Sequence, residues 1–229
     1  MLGFEKMTNH QRTDNDVQIG LRAQKSPYRE YRICDVCEVW TRGSSYYKSS
    51  DLVGTNEGAI VLGPSNIIDD RIDYSDVQYY SWEGYNRKQN LNLEVGDILL
   101  AKYAAPAAPF KSAVIKSLPG PAISNPNVIM LKKITCNRDY LQLILSSAEF
   151  QRQLKATQTN STMPSLSATA LMEMRILLPP RDIQDELAIK IGEYRALKKE
   201  LVARLNEEAS AREKEYDYYS NLLLWNTQQ

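Results

Sequence analysis

The chain has 229 residues, 43% of them apolar, and carries 28 basic and 28 acidic side chains. This composition excludes wholesale disorder and suits one sizeable domain with an extension, or two small domains. The balanced charge excludes the large basic excess that is usual in a stand-alone DNA-binding protein. No run approaches the roughly 18 apolar residues of a membrane span, and the N-terminus lacks the apolar core of a secretory signal. We therefore expect a cytoplasmic protein with no membrane partner.

Three regions follow one another along the chain. Residues 1–25 are polar and aperiodic, which predicts a flexible arm. In residues 26–180, apolar runs bounded by Gly, Pro or Asn predict strands at 58–63, 97–103, 110–117 and 127–134. The spacing then becomes helical over 137–154, and a last strand is predicted at 174–180, where two prolines end it. The sequence therefore predicts an α+β fold with one mixed α/β domain over residues 26–180.

The third region, residues 181–226, predicts a single long helix. Residues 181–217 hold 18 charged side chains and no proline, and Asp182 is the expected N-cap. A helix from Asp182 to Leu223 would be about 60 Å long. Its narrow apolar seam needs a partner helix, so we expect a coiled coil, with Lys198 and Arg212 setting the register or marking a solvated edge. The seam has 3/4 spacing and consists of Leu187, Ile191, Tyr194, Leu201, Leu205, Ala209, Tyr216, Tyr219 and Leu223.

The three cysteines are an odd number, which argues against a disulfide framework. Cys34 and Cys37 form a Cys-x-x-Cys pair that could bind zinc or act in redox chemistry, but there is no second pair and the one histidine is His10. Core packing is the favoured explanation, because four residues have helical spacing: Ile33, Val36, Cys37 and Trp40. We therefore predict no metal site.

Sequence motifs of catalysis are missing. There is no phosphate-binding glycine motif and no HExxH, and a nucleophile–base triad would have to use His10. The NPN segment at 125–127 lacks the second proline and the aromatic residue of the adenine methyltransferase motif. We predict that the chain is not an enzyme and has no catalytic residue.

A series of motifs runs through most of the chain. It comprises ICDV (33–36) followed by RG (42–43), IVLGPSNI (60–67), VGDILLAK (95–102), NPNVIMLK (125–132), YLQLILSSAEFQRQL (140–154), STMPSLS (161–167), ILLPP (176–180) and KEYDYYSNLL (214–223). In this order the motifs resemble one half of the specificity (S) subunit of type I restriction-modification systems, over about residues 27–224. The chain departs from the family at Asn160, where glycine is usual, at Ile183, where glutamate is usual, and in the stiff segment AAPAAPFK (104–111).

The resemblance implies a target recognition domain over 26–180 and a conserved spacer helix over 181–226. It implies no cofactor of the chain's own, because S-adenosylmethionine would be bound by the partner methyltransferase. Its partners would be double-stranded DNA, the methyltransferase (M) subunit and, when present, the restriction (R) subunit. A complete S subunit has two recognition domains and this chain has one, so a homodimer is expected, with antiparallel helices. The alternatives are a helix-mediated protein adaptor that never touches DNA, and a silent, recombinable gene cassette.

Three groups of residues are predicted to contact DNA. Cations can bind phosphates or read guanine, and hydroxyl side chains can meet phosphates and base edges. Ser and Thr could equally cap a turn, and residues 41–48 could be an ordinary solvated loop. The DNA-contact candidates are Arg42, Tyr46, Tyr47 and Lys48; Lys102 and Lys111; and Arg152, Lys155, Thr159, Ser161 and Thr162. The residues predicted to form the helix interface are Leu187, Ile191, Tyr194, Leu201, Leu205, Tyr216 and Tyr219.

Overall fold

The computed structural model describes residues 27–41, 47–87, 89–105, 108–157 and 165–225. The strands are β1 (Arg29–Arg32), β2 (Glu38–Thr41), β3 (Leu52–Val53), β4 (Ala59–Leu62), β5 (Ile67–Ile68), β6 (Arg71–Ile72), β7 (Gln78–Tyr80), β8 (Ile98–Ala101), β9 (Ser112–Val114), β10 (Ala122–Ser124), β11 (Val128–Lys132) and β12 (Arg175–Leu178). The helices are α1 (Ile33–Val36), α2 (Trp82–Asn86), α3 (Arg138–Ser146), α4 (Ala148–Ala156), α5 (Ala168–Glu173) and α6 (Arg181–Trp225).

A four-stranded antiparallel sheet with the order β2-β11-β8-β9 lies at the centre of the domain. Alternate residues of its inner strands serve two cores, because successive side chains of a strand point to opposite faces. Ile98 and Leu100 pack against the helices α3, α4 and α5, whereas Leu99 and Met130 pack against a second sheet. Burial of both faces explains why the sequence of these strands is continuously apolar rather than alternating.

The second sheet has the order β10-β4-β7-β3, and only β10 and β4 are parallel. Its outer face carries a small third core around Val61, Tyr80 and Ile123. Two-stranded pairs complete the domain, β1 with β12 and β5 with β6. The α+β fold predicted from the sequence is confirmed, and the five predicted strands are present as β4, β8, β9, β11 and β12.

Three local predictions were wrong. The helix predicted over 137–154 is two helices, because Ser147 has an extended backbone and its hydroxyl accepts from the Phe150 amide at 3.3 Å, so that it caps α4. The short helix around Cys37 ends at Val36, and Trp40 lies in β2. Asp182 is not a cap, because α6 begins one residue earlier.

Cys37 is a core residue, as predicted. Burial raises the pKa of its thiol to about 12 and also raises the pKa of the Cys136 thiol. Both thiols are therefore protonated at neutral pH.

The first part of α6 is fixed to the domain by hydrogen bonds at its start. Gln184 is buried, where its carbonyl oxygen accepts from the Asn137 amide at 2.9 Å and its NH₂ donates to the Pro179 carbonyl at 2.8 Å. Asp185 accepts from the Asn137 side chain at 2.6 Å and from Arg181 at 2.9 Å. The hydrogen bond from Asn137, and to a lesser degree the one from Arg181, holds the pKa of Asp185 below its usual range. The helix therefore leaves the double proline in a fixed direction.

A second attachment, here called the clamp, lies farther along α6. Arg195 donates to Gln142 at 3.2 Å and to Ser146 at 3.0 Å on α3, and pairs with Asp70 at 2.9 Å. Lys199 reaches Asp69 at 3.4 Å. Both aspartates form the two-residue turn between β5 and β6 with φ of 48° and 61°, a conformation that glycine or asparagine adopts more readily. The clamp thus joins α6 both to α3 and to a hairpin from the other side of the central sheet.

No helix of the described residues is long and apolar enough to cross a membrane.

Candidate nucleic-acid interface

The register of the central sheet brings the end of β2, Lys102 and Lys111 toward one end of the domain. It aligns four successive partners across the sheet: Thr41, Ile129, Leu100 and Ser112. Thr41 ends β2 where the predicted 42–48 segment begins, Lys102 directly follows β8, and Lys111 directly precedes β9. The Lys102 amide donates to the Asn127 carbonyl and the Lys111 carbonyl accepts from the Ala101 amide, each at 2.9 Å, so the sheet positions both lysines.

Helix α4 adds two cations to the same end of the sheet. The buried Gln151 accepts from the Phe110 amide at 2.7 Å and donates to the Phe110 carbonyl at 3.0 Å, so it ties α4 to the residue next to Lys111. Arg152 is exposed and pairs with Glu149, whose pKa is held below its usual range by the Gln153 amide and by Arg152. Lys155 lies in the last turn of α4. We call Lys102, Lys111, Arg152 and Lys155 the cationic edge.

The hydroxyl-rich segment begins and ends beside the cationic edge. Helix α4 ends at Ala156, and on the other side the Leu166 amide donates to the Lys102 carbonyl at 2.8 Å. Residues 158–164 therefore connect the end of α4 to the position of Lys102. The predicted contacts Thr159, Ser161 and Thr162 lie outside the described residues, as do Arg42 and Tyr46.

Tyr47 and Lys48 lie beside the outer face of the second sheet. The Tyr47 ring stacks on Tyr80, with ring centroids 5.0 Å apart and planes 15° apart, and burial raises the pKa of Tyr47. Lys48 is exposed, and its backbone amide donates to the Tyr80 hydroxyl at 2.8 Å. These residues therefore form a group separate from the cationic edge, and the segment 42–46 joins the two places.

A polar network holds the Tyr47 group in place, and the sequence alone gave no indication of it. The Tyr80 hydroxyl donates to Asp51 at 3.0 Å, and Arg87 pairs with the same carboxylate at 2.7 Å. The hydrogen bond from Arg87, and to a lesser degree the one from Tyr80, holds the pKa of Asp51 below its usual range. Because these bonds span 29 and 36 residues, no local spacing could have revealed them.

The predicted helix interface divides into two parts. Leu187 and Ile191 are partly buried within the chain itself. Tyr194 and Tyr219 are exposed, and so are Leu201, Leu205 and Tyr216, with 56%, 54% and 73% of their surface accessible. Large apolar side chains on one face of a helix are rarely left in water, so this face is a candidate interface.

Comparison with known proteins agrees with this architecture. A chain from a structure of the type I R-M system, described as the structural basis of its complex assembly and conformational transition, matches with a TM-score of 0.60 and 18% identity over 80% of this chain and 43% of its own length. The HsdS subunit from Thermoanaerobacter tengcongensis matches with a TM-score of 0.54 and 16% identity over 77% and 40%. Thus the chain spans less than half of each. No curated protein sequence matches it.

The fold is thus a mixed α/β domain followed by a long helix, the architecture of these two structures. The sequence model described as the type I restriction modification DNA specificity domain matches residues 25–211. Since this is most of the chain, the protein belongs to that family.

Proposed function

We propose that the chain is a DNA sequence-specificity subunit that works as two copies and directs a type I methyltransferase to a bipartite site. The observation that carries this proposal is the exposed apolar face of α6, which follows a domain that the specificity-family model matches. Such a face requires a partner helix, and a two-fold dimer is the commonest closed arrangement of identical chains. Pairing would supply the second recognition domain that a bipartite site needs.

The cationic edge is the surface that we assign to DNA. It presents cations at strand and helix ends, and the chain segment that follows α4 is rich in hydroxyl and amide side chains. In this arrangement cations meet phosphates and the short polar side chains reach base edges. The net charge of zero fits a subunit whose methyltransferase partner supplies much of the phosphate neutralisation. The chain contributes recognition, and catalysis and S-adenosylmethionine binding belong to the partner.

Methylation mapping tests the proposal. The chain is co-expressed with an M subunit in a host that lacks its own modification system, and methylated adenines are mapped across the genome. We expect one interrupted palindrome, with half-sites about one helical turn apart or a multiple of it, because both domains are identical. A stable complex that methylates no specific motif would contradict the proposal. An asymmetric motif would mean that a different half subunit completes the assembly.

Single-cation variants test the assigned surface. Replacing Lys102, Lys111 or Arg152 by Ala should weaken DNA binding by the assembled complex. A phosphate contact would lower the affinity evenly across sequences and reduce the salt slope by about one, whereas a base contact would relax one position of the motif at about 1–3 kcal/mol. The same test applies to Arg42 and Lys48. Lys133→Ala is the matched control, since Lys133 is exposed like Lys111 and Arg152 but follows the end of β11 that lies away from Lys102.

If all of these variants bind DNA normally, the assigned surface is wrong. If the chain binds protein partners but the complex has no DNA affinity, the adaptor function replaces the proposed one.

A further inference from the structure

The exposed face of α6 contains two apolar clusters separated by a polar centre. At 100° per residue, both clusters and the centre lie on one side of the helix. The first cluster is Tyr194, Leu197, Leu201 and Leu205, and the second is Tyr216, Tyr219 and Leu223. Between them Glu208 and Arg212 form an ion pair at 2.6 Å. Any pairing of two copies through this face must therefore accommodate this ion pair as well as the two apolar clusters.

Three pairs of positions along this face are symmetric about Ser210, whereas Lys198 on the same side of the helix corresponds to Leu222. Leu197 and Leu223 lie 13 residues to either side of it, and Leu201 and Tyr219 lie nine residues to either side. Glu208 and Arg212 lie two residues to either side, with opposite charges. Leu205 and Tyr216 match to within one residue. An antiparallel pair of helices has this symmetry, because residues equally distant from the two-fold axis face each other.

The charges distinguish between the possible pairings. A parallel pair in register would set Arg212 against Arg212 and Glu208 against Glu208, and like charges at an interface cost several kcal/mol. An antiparallel pair with its axis at Ser210 sets each Glu208 against Arg212 of the second copy. The same axis sets the first apolar cluster of each copy against the second cluster of the other. The charge pattern and the apolar pattern thus select the same axis.

We infer that the antiparallel α6 helices of the proposed dimer pair with their two-fold axis at the level of Ser210, and that Glu208 and Arg212 fix this register. The inference rests on the proposed dimer and adds its register. Each apolar cluster then covers the other, and the polar centre disfavours slipped pairings, in which Glu208 or Arg212 would face leucine or tyrosine. A polar residue within an apolar seam is a known means of specifying register.

Distances between spin labels test the register. Cys34→Ser leaves the two buried thiols, Cys37 and Cys136, and single cysteines are then introduced at Ala203, Ser210 or Asp217. These three sites are one heptad apart on the exposed face opposite the clusters, so labels leave the seam untouched. In the inferred register the label at 210 gives the shortest distance between copies. The labels at 203 and 217 give equal, longer distances, with an axial separation of about 21 Å each.

Other outcomes overturn the inference in different ways. Equal distances at all three sites would mean a parallel dimer, and unequal distances at 203 and 217 would mean a different antiparallel register. Either result would overturn the inferred register but would be compatible with the proposed dimer. The absence of any distance between copies, with a monomer in light scattering, would overturn the register and the proposed dimer together.

Charge reversal gives an independent test. Glu208→Arg or Arg212→Glu alone should weaken self-association by at least about tenfold, because each chain then faces its own sign of charge. An equimolar mixture of the two variants should restore pairing, since opposite signs now face each other. Glu200→Arg is the matched control: Glu200 pairs with Arg204 at 2.7 Å with the same exposure as Glu208, but lies on a different face. Undiminished self-association of both single variants would overturn the register.

Discussion

The two halves of α6 are continuous in backbone and similar in composition, yet they have opposite relations to the rest of the chain. Residues 181–199 are held by Gln184, by Asp185 and by the clamp, and their apolar Leu187 and Ile191 are partly covered. Residues 200–223 are exposed along almost their whole length. One helix therefore begins as a domain element and continues as an exposed apolar face, the candidate interface.

This difference shows what each half uses for attachment. Residues 181–199, here called the docked half, rely on buried or half-buried hydrogen bonds, which require one fixed geometry. Residues 200–223, here called the free half, carry repeated leucine and tyrosine, which require only a matching apolar face. We therefore expect substitutions in the docked half to change the stability of the chain, and substitutions in the free half to change its assembly.

The largest effect is expected from the free half. Leu201→Asp with Leu205→Asp should weaken dimerisation at least about 100-fold, because four carboxylates would enter one apolar seam. Site-specific methylation should be lost, while thermal unfolding of residues 27–180 should be unchanged. Light scattering and calorimetry measure the two effects. Ala203→Asp with Ser210→Asp adds the same charge on the opposite face and should leave the dimer intact; an unchanged dimer in the leucine variant would remove the coiled-coil explanation.

A smaller effect is expected at the start of the docked half. Gln184→Ala leaves the Asn137 amide without its acceptor, and we expect the free energy of unfolding to fall by about 2 kcal/mol. Urea denaturation measures this change. Gln153→Ala removes an amide bonded at the surface to Glu149 and should cost less than about 0.5 kcal/mol. Equal losses in the two variants would mean that Gln184 does not dock the helix.

The clamp should contribute less than Gln184, and it allows a direct comparison of the two halves. Arg195→Ala removes contacts to three groups and should lower the free energy of unfolding by about 1 kcal/mol. Arg204→Ala removes one exposed pair in the free half and should change it by only about 0.3 kcal/mol. If the two variants lose equal stability, the clamp adds nothing beyond an ordinary surface ion pair.

The smallest effect concerns acid. Because the folded-state pKa of Asp185 is lowered, its contribution is present above its unfolded pKa of about 4 and is lost as pH falls through the lower folded value. Amide exchange of residues 181–199 should therefore accelerate below about pH 4 more than exchange of the domain core. Asp185→Asn should show a weaker acid dependence at those amides. An identical acid dependence in the variant would contradict this role.

The sequence predicted the parts of the fold whose signal is local. Strands such as β8 and β11 are continuous apolar runs, and α6 has a helical period over many turns. The strands β3, β5 and β6 contain two residues each, too few to show any period. The break at Ser147 was missed because apolar residues recur at helical spacing on both sides of it, although the backbone at Ser147 is extended.

The candidate site was predicted in the same partial way. Lys102 and Lys111 were selected because they flank the AAPAAPF segment between two predicted strands, and Arg152 and Lys155 because they lie on a predicted helix. Their common location depends on strand register, which no single segment contains. The clamp joins Asp69 to Lys199 across 130 residues, so only the folded chain could reveal it. The turn residues Asp69 and Asp70 were visible in the sequence, but not what they bind.

The clamp also fixes the direction in which the rest of α6 extends. Beyond Lys199 the described helix continues for about 39 Å at 1.5 Å per residue, and nearly all of its described side chains there are exposed. A tilt of about 10° at the clamp would displace the far end by about 7 Å, which is two base-pair steps at about 3.4 Å each. In the proposed dimer, any such error would pass to the second domain through the paired helices. A few bonds at the hairpin turn would therefore set the angular tolerance with which the two proposed reading surfaces stay in phase with the turns of a DNA duplex.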